Sequence, residues 1–244
     1  MGYHWNWSVF LQPAGAGQTY LDWLLAGLGT TVLMGTFAWI IAFLLGSVLG
    51  VMRTLPQRGL RNIGAIYVNV MRNVPLIVQL FLWYYLVPKL LPESVRAWLF
   101  SLPPASTAFV TATIGLGFFT AARVCEQVRA GIDSLPPGLR NASLAVGFTL
   151  PQAYRHVLLP VSYRLIIPPM TSEILSIFKN SSIASTVGVI ELYARSRQLN
   201  DYTAQAYESF LAVVACYLLI NAVVMLLMSL LERRTRLFGY MGAR

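Results

Sequence analysis

Charged residues divide the chain into long apolar runs separated by polar connections. Three runs of 23 to 30 residues contain no Asp, Glu, Lys or Arg, and they lie between Asp22 and Arg53, between Arg96 and Arg123, and between Glu208 and Glu232. An α-helix needs about 20 apolar residues to cross the hydrocarbon core of a bilayer, where it satisfies its own backbone hydrogen bonds. Each run therefore predicts a membrane-spanning helix.

Two further apolar segments are interrupted by charge. Residues 62–88 contain Arg72, and residues 165–190 contain Glu173 and Lys179. Both segments are long enough to span a membrane, so we predict an all-α membrane protein with five transmembrane helices. The predicted spans lie near residues 24–51, 63–88, 105–125, 165–190 and 208–231.

The composition excludes an ordinary soluble domain. Of the 244 residues, 57% are hydrophobic and only 11% are charged, and the mean hydropathy is +0.62. The formal net charge of +9 is distributed unevenly. Twelve Lys and Arg residues occupy segments 52–62, 123–164 and 232–244, whereas four occupy segments 1–22, 89–105 and 189–206.

This asymmetry predicts the orientation, because Lys and Arg concentrate in cytoplasmic loops. We predict an N-out, C-in protein in which residues 1–22 lie outside and residues 134–160 face the cytoplasm. Attraction to anionic membrane lipid explains the remaining positive charge, so no nucleic-acid partner is expected.

Turn chemistry in the 134–160 segment predicts two short helices. Pro136 and Pro137 favour a helix start, and Gly147 favours a left-handed cap that ends the first helix. Thr149 and Gln152 form a capping-box pattern for the second helix, which Pro160 would end. On these signals alone, a docking site for another protein and a plain interfacial hairpin are equally good interpretations.

The residues in this segment resemble a known motif. Asn141-Ala142-Ser143, Gly147 and Val157-Leu158-Leu159-Pro160 are similar to the coupling loop of bacterial ABC importer permeases, which carries Glu-Ala-Ala, Gly and Ile-x-Leu-Pro at this spacing. The resemblance implies that an ATPase binds this loop, and it assigns the ATPase contact to Asn141, Ala142, Ser143, Gly147, Leu159 and Pro160. Because Asn141 replaces the glutamate of the motif, an ionic contact there is lost.

Other segments resemble one branch of that family, the permeases for polar amino acids. The similar stretches are Arg72 to Gln79, in which Asn73 and Val74 replace Gly and Thr, then Glu126 to Ile132, Pro168-Pro169 with Glu173, and Lys179 to Ser182. The resemblance lies within the histidine/glutamate branch and is closest to glutamate/aspartate importer permeases. It implies the type I ABC importer transmembrane fold in a bacterial inner membrane. It also implies an ATP-binding subunit dimer, a second homologous permease subunit and a periplasmic solute-binding protein as partners.

Intramembrane charges suggest where an amino acid could bind. A charge within a span costs roughly 2.5–3.5 kcal/mol on insertion scales and usually faces a polar cavity or a partner. We expect Glu173 to bind the α-ammonium group of the substrate and Arg72 or Lys179 to attract an acidic side chain. The other candidates are Asn73 and, for the α-carboxylate, Asn180, Ser181 and Ser182. The alternative is that these charges pair across helices and only stabilise the fold.

Two local patterns predict packing rather than chemistry. Gly46 and Gly50 form a GxxxG pattern that favours close helix packing. Arg123, Glu126 and Arg129 are three residues apart and predict an ion-pair ladder along one helix.

The absence of an ATP-binding motif narrows the functions that this chain can perform. The chain has only two lysines, Lys89 and Lys179, and neither belongs to a Walker A motif. No ATPase site, cofactor or metal site is therefore expected in this chain, since ATP would be bound by the partner subunit. Cys125 and Cys216 are interpreted as packing residues. The alternative functions are an ion-coupled secondary amino acid transporter, disfavoured because no internal repeat is present, and a non-transporting membrane scaffold that docks an ATPase.

Overall fold

The computed structural model describes residues 3–235 and is almost entirely helical. Eleven α-helices occur in this range: α1 (Tyr20–Thr54), α2 (Arg58–Asn73), α3 (Leu76–Phe81), α4 (Val87–Leu90), α5 (Glu93–Ser101), α6 (Pro104–Asp133), α7 (Pro137–Ala145), α8 (Leu150–Ala153), α9 (Leu159–Asn180), α10 (Leu192–Thr203) and α11 (Ala206–Thr235). The turns Leu82–Leu86 and Tyr154–Leu158 are π-helical, and Ser181–Val187 is a 3-10 helix. The part of the predicted C-terminal segment after Thr235 lies outside the described residues.

The N-terminal segment folds back on the start of α11. A 3-10 helix, Trp7–Leu11, precedes two short antiparallel strands, β1 (Pro13–Gly15) and β2 (Gln18–Thr19). The backbone N–H of Asn6 donates to Oε1 of Glu208 at 2.6 Å, and the Tyr3 hydroxyl donates to its other oxygen. These bonds satisfy a carboxylate that is fully buried.

Three helices in the described range are long and apolar enough to cross a membrane, namely α1, α6 and α11. A fourth crossing results if the helices Arg58–Asn73 and Leu76–Leu90, which are bent by 105°, are counted together. The bend follows from Pro75, because proline disfavours helical backbone in the preceding residue, here Val74. The uninterrupted span predicted near 63–88 is thus a bent pair, and the count of five spans stays a prediction.

The predicted span near 165–190 is also divided. Helix α9 begins earlier, at Leu159, and ends at Asn180, where the backbone changes to the 3-10 helix. Gly188 ends that helix with a φ of +91°, a conformation that glycine adopts without strain. The polar second half of this segment therefore interrupts the helix, as its composition predicted.

The prediction that Pro160 ends a helix is wrong. Helix α8, the π-helical turn and α9 form one continuous helical run through Pro160. Proline normally breaks a helix because it lacks an N–H and its ring clashes with the carbonyl four residues earlier. Here that carbonyl belongs to His156, inside the π-helical turn, and the wider turn gives the proline ring room.

The described chain forms two compact units. The first contains residues up to Ile40, Val74–Gly117 and Ser176–Ala222, and the second contains Ile41–Asn73, Phe118–Leu175 and the residues from Val223 onward. An apolar cluster within the first unit consists of Val9, Tyr20, Leu24, Leu192, Leu199 and Val213. A cluster within the second unit consists of Leu49, Val68, Ala122 and Cys125.

Helix α6 is the most buried of the three membrane-length helices. The buried share of its apolar window is 72%, compared with 33% for α1 and 11% for α11. Within the second unit, Gly46 and Gly50 of α1 lie directly against Val124 and Val128 of α6. A Cβ atom at Gly46 would lie 2.6 Å from the Cβ of Val124, so the close helix packing predicted from GxxxG is confirmed.

Candidate functional site

A charged cavity of about 510 Å³ lies in the second unit, between α2, α6 and α9. It is lined by six side chains: Arg72, Phe119, Arg123, Glu126, Gln127 and Glu173. Phe119, Arg123 and Gln127 are spaced by four residues and therefore occupy one face of α6. The volume falls in the range of roughly 300–1,000 Å³ that is usual for small-molecule pockets.

Glu173 and Arg123 face each other in this cavity, but they form only a loose ion pair. Nη1 of Arg123 lies 3.8 Å from Oε2 of Glu173, whose side chain is 14% exposed. That oxygen is buried and has no hydrogen-bond partner among the described residues. The guanidinium of Arg123 also lies 4.9 Å from the ring centroid of Phe119, a cation–π arrangement. Glu173 thus keeps an acceptor oxygen for a further donor.

Glu126, by contrast, is fully engaged with neighbouring arginines. Its Oε1 is paired with Nη1 of Arg53 from α1, and its Oε2 accepts from Nε of Arg129 at 3.1 Å. Arg129 also contacts Asp133 at 2.7 Å. Since two guanidinium groups neutralise Glu126, it adds no uncompensated negative charge to the cavity.

The predicted ion-pair ladder on α6 is therefore only partly correct. Glu126 and Arg129 form the expected intrahelical pair, but Arg123 is paired with Glu173 on α9. The physical reason is that Arg53 occupies the second carboxylate oxygen of Glu126, while Glu173 presents a buried oxygen to Arg123.

Arg72 contributes a second positive charge to the cavity, beside that of Arg123. Its side chain is exposed to the cavity, and among the described residues no carboxylate oxygen lies within 4.0 Å of it. The neighbouring Asn73 does not line the cavity; its Nδ2 donates to the carbonyl of Asn69 at 2.7 Å, which caps the end of its own helix. The structure thus brings together Arg72 and Glu173 from the predicted set.

The remaining predicted substrate residues lie in the first unit, at the junction of α9 and the 3-10 helix. Lys179 is exposed and Ser181 is fully buried. The hydroxyl of Ser181 donates to the carbonyl of Phe178 at 2.7 Å, and that of Ser182 donates to the carbonyl of Lys179 at 2.8 Å. Both hydroxyl hydrogens are thus used within the helix, while Asn180 is half-buried.

The 134–160 segment, which we name the docking segment, forms the two helices predicted from its turns. Helix α7 ends at Ala145, and Gly147 follows with a φ of +98°. Oε1 of Gln152 accepts from the backbone N–H of Thr149 at 2.8 Å, one bond of the predicted capping box. These local predictions are confirmed.

Exposure within the docking segment differs from residue to residue. Asn141, Ala142, Gly147 and Pro160 are exposed and Leu159 is half-buried, whereas Ser143 is buried and donates to the carbonyl of Leu139. Three apolar side chains project around the Gly147 turn: Leu144 is 39%, Val146 is 81% and Phe148 is 39% exposed. An apolar tip of this kind is suited to contact with another protein.

Comparison with known proteins identifies the family. Residues 42–237 match the family described as "Binding-protein-dependent transport system inner membrane component". The chain belongs to this family. It is a permease component of an ABC importer, located in the inner membrane, and its predicted all-α type I importer fold is confirmed. The predicted orientation stays a prediction.

Similar proteins cover nearly the whole of this permease. It is 53% identical to the glutamate/aspartate import permease protein GltJ of Escherichia coli, with 100% of both chains covered. It is 28% identical to GltK, a glutamate/aspartate import permease protein of the same strain, with 96% of this chain and 99% of GltK covered. The crystal structure of an amino acid ABC transporter with histidines has a similar fold, with a TM-score of 0.73, 27% identity and 88% and 95% of the two chains covered.

Four of the six residues that line the cavity of this permease were not predicted as substrate residues from the sequence, namely Phe119, Arg123, Glu126 and Gln127. Arg123 was assigned to the ion-pair ladder, and Gln127 was not assigned a role. The signal that could have indicated them is the four-residue spacing of Phe119, Arg123 and Gln127, which places a cation and an amide on one helix face. In the described part of the permease, no group of three or more His, Cys, Asp or Glu side chains is placed to hold a metal ion.

Proposed function

We propose that this permease imports acidic amino acids, glutamate and aspartate, and that its charged cavity is where the substrate passes. The observation that carries the proposal is that Arg72, Arg123 and Glu173 line one cavity. The Arg123–Glu173 pair is loose, and Oε2 of Glu173 has no hydrogen-bond partner among the described residues. The name of the relative GltJ, whose sequence is 53% identical over its whole length, supports the same substrate class.

The charges of the cavity complement those of an acidic amino acid. Such a substrate carries one ammonium and two carboxylates at neutral pH. Glu173 would accept from the ammonium, and Arg72 and Arg123 would donate to the two carboxylates, since guanidinium groups match carboxylate geometry. The planar fork of arginine allows two parallel hydrogen bonds to each carboxylate.

The alternative, that these charges only stabilise the fold, is weakened by the geometry. A structural ion pair in an apolar environment needs short hydrogen bonds to offset the cost of removing both charges from water. The 3.8 Å separation of Arg123 and Glu173 and the unbonded Oε2 of Glu173 do not meet this requirement. Water and a substrate would complete their hydrogen bonds. Contacts of Lys179, Asn180, Ser181 and Ser182 with the substrate, and a role for Asn73, stay predictions.

A separate ATPase supplies the energy in this proposal and binds the docking segment. The exposed apolar side chains Leu144, Val146 and Phe148 support this role, together with the exposed Asn141 and Ala142. A short helix that presents such side chains fits a groove on a partner protein. ATP would be bound by the ATPase dimer and not by this chain.

A second, non-identical permease subunit completes the pore in this proposal, and a periplasmic binding protein delivers the substrate. Two different glutamate/aspartate permease proteins, GltJ and GltK, occur in one strain of Escherichia coli. Both are similar to this chain over nearly its whole length, which supports a heterodimer of related subunits.

The test is reconstitution of the complete importer in liposomes, followed by ATP hydrolysis with a panel of amino acids. We expect glutamate and aspartate, together with the binding protein, to stimulate hydrolysis and to accumulate inside. Stimulation by a different amino acid alone would show the substrate assignment to be wrong. Uptake that continues without ATP hydrolysis would favour the secondary transporter, and attachment of an ATPase without any stimulation would favour the scaffold.

A further inference from the structure

Tyr154 connects the docking segment to the end of α1 through a partly buried hydrogen bond. Its hydroxyl lies 3.0 Å from both the carbonyl oxygen and Oγ1 of Thr54, the last residue of α1. The side chain of Tyr154 is only 5% exposed. The last carbonyls of a helix have no partner within the helix, so the Tyr154 hydroxyl satisfies a group that would otherwise need water.

This hydrogen bond bridges a region that is incompletely packed. A cavity of about 250 Å³ lies between α7 and the ends of α1 and α6, and Tyr154 and Thr54 both line it. Asn141 and Pro137 of α7 line the same cavity. Because apolar packing does not fill this space, the hydroxyl is a directional contact between the docking segment and α1.

The end of α1 is connected in turn to the charged cavity. Arg53, which precedes Thr54, is paired with Glu126, and Glu126 lines the charged cavity beside Arg123 and Glu173. The hydrogen bond of Tyr154 and the ion pair of Arg53 thus hold adjacent residues of α1. A displacement of the docking segment would be transmitted to a residue of the cavity wall.

Tyr154 is also the first residue of the π-helical turn that leads into α9. Single π-helical turns are frequent at functional sites, where they allow a helix to change its local geometry. Helices α7 and α8 of the docking segment precede this turn, and α9, which carries Glu173, follows it. Tyr154 therefore lies at the point where motion of α7 and α8 would be transmitted to α9, the helix that carries Glu173.

We propose that Tyr154 is a positioning residue that couples ATP hydrolysis to transport by holding the docking segment to the end of α1. The proposal rests on the docking role stated above. Removal of the Tyr154 hydroxyl would leave the ATPase attached and active. The movement of the docking segment would then be transmitted less completely to α1 and the cavity.

The test uses the complete importer in liposomes with Tyr154→Phe, which keeps the buried ring and removes only the hydroxyl. We expect the amount of glutamate transported per ATP hydrolysed to fall roughly two- to tenfold, the factor that corresponds to the loss of one neutral hydrogen bond. Assembly of the complex and its melting temperature are expected to stay close to those of the wild type, because phenylalanine fills the same volume.

Tyr163→Phe is the matched control. Tyr163 lies on α9, its ring centroid is 5.7 Å from that of Phe43, and its hydroxyl makes no hydrogen bond among the described residues. We expect this variant to keep the wild-type transport ratio. Thr54→Val removes one of the two acceptors, and in the double variant with Tyr154→Phe it should add little, because both changes act on the same contact.

The outcomes separate the two proposals. A wild-type importer that neither binds an ATPase nor transports glutamate would refute the proposed function. A working wild type with an unchanged ratio in Tyr154→Phe would refute only the coupling role of Tyr154. A ratio that falls together with assembly or melting temperature would also overturn it, since that result describes a purely structural residue.

Discussion

Replacing Gly46 with alanine tests whether α1 and α6 pack backbone against backbone. A Cβ atom at this position would lie 2.6 Å from the Cβ of Val124 and 2.7 Å from the carbonyl oxygen of Ala121. Favourable carbon–carbon contacts occur at about 3.5–4.0 Å, so the two helices would need to separate by about 1 Å. Neither neighbouring atom belongs to the flexible end of a side chain, and rotation about a side-chain bond therefore cannot relieve the overlap.

We expect Gly46→Ala to lower the free energy of unfolding by about 1–3 kcal/mol, the usual cost of overfilling a well-packed core. Gly29→Ala is the matched control on the same helix, because no atom lies within 4 Å of a Cβ built there. Alanine exceeds glycine in helix propensity by roughly 0.8–1 kcal/mol. Gly29→Ala should therefore leave the free energy of unfolding unchanged or raise it slightly, whereas Gly46→Ala should lower it.

The assay is thermal unfolding of the purified permease complex in detergent, followed by tryptophan fluorescence. Wild type, Gly46→Ala and Gly29→Ala are measured side by side at the same detergent concentration. If Gly46→Ala melts at the same temperature as Gly29→Ala, the two helices are not in contact at Gly46 and the packing argument is refuted. Gly50→Ala provides a repeat, since its Cβ would lie 2.7 Å from the Cβ of Val128.

Three further predictions concern the cavity and the docking segment. Glu173→Gln should reduce glutamate uptake per unit of substrate about 10- to 100-fold, the range for losing a hydrogen bond to a charged group; wild-type uptake at normal membrane levels would remove Glu173 from the site. Gly147→Val should reduce both ATPase attachment and uptake, because a β-branched residue is strained at a φ of +98°, whereas Gly138→Ala on the same segment, with open space around its Cβ, should not. Val146→Asp should weaken ATPase binding measured by co-purification while leaving the melting temperature within about 1 °C, since surface substitutions change stability little.

Local chemistry explains which parts of the docking segment could be predicted from the sequence. The left-handed backbone of Gly147 and the bond between Gln152 and Thr149 depend on residues only a few positions apart. The bend beside Pro75 is local in the same sense, since proline acts on its immediate neighbour, but an uninterrupted span was predicted there. Such features need no knowledge of the rest of the fold.

Features that depend on distant residues could not be predicted in this way. The continuation of the helix through Pro160 requires the π-helical turn before it, and no sequence signal marks that turn. The position of Arg123 in the cavity depends on Arg53 from α1, which takes the oxygen of Glu126 that Arg123 could otherwise use. Sequence spacing shows which partners are possible within a helix, but contacts between helices decide which of them are used.

The unequal burial of the membrane-length helices has a consequence for how the protein is made. Ribosomes release a chain from its N-terminus, and early segments can associate before later ones are synthesised. Helices α1 and α6 meet at Gly46 and Gly50, and both are complete some 70 residues before α11 begins. Because the apolar window of α11 is only 11% buried within this chain, the central helix pair can assemble in the bilayer during translation, before the last helix has left the ribosome.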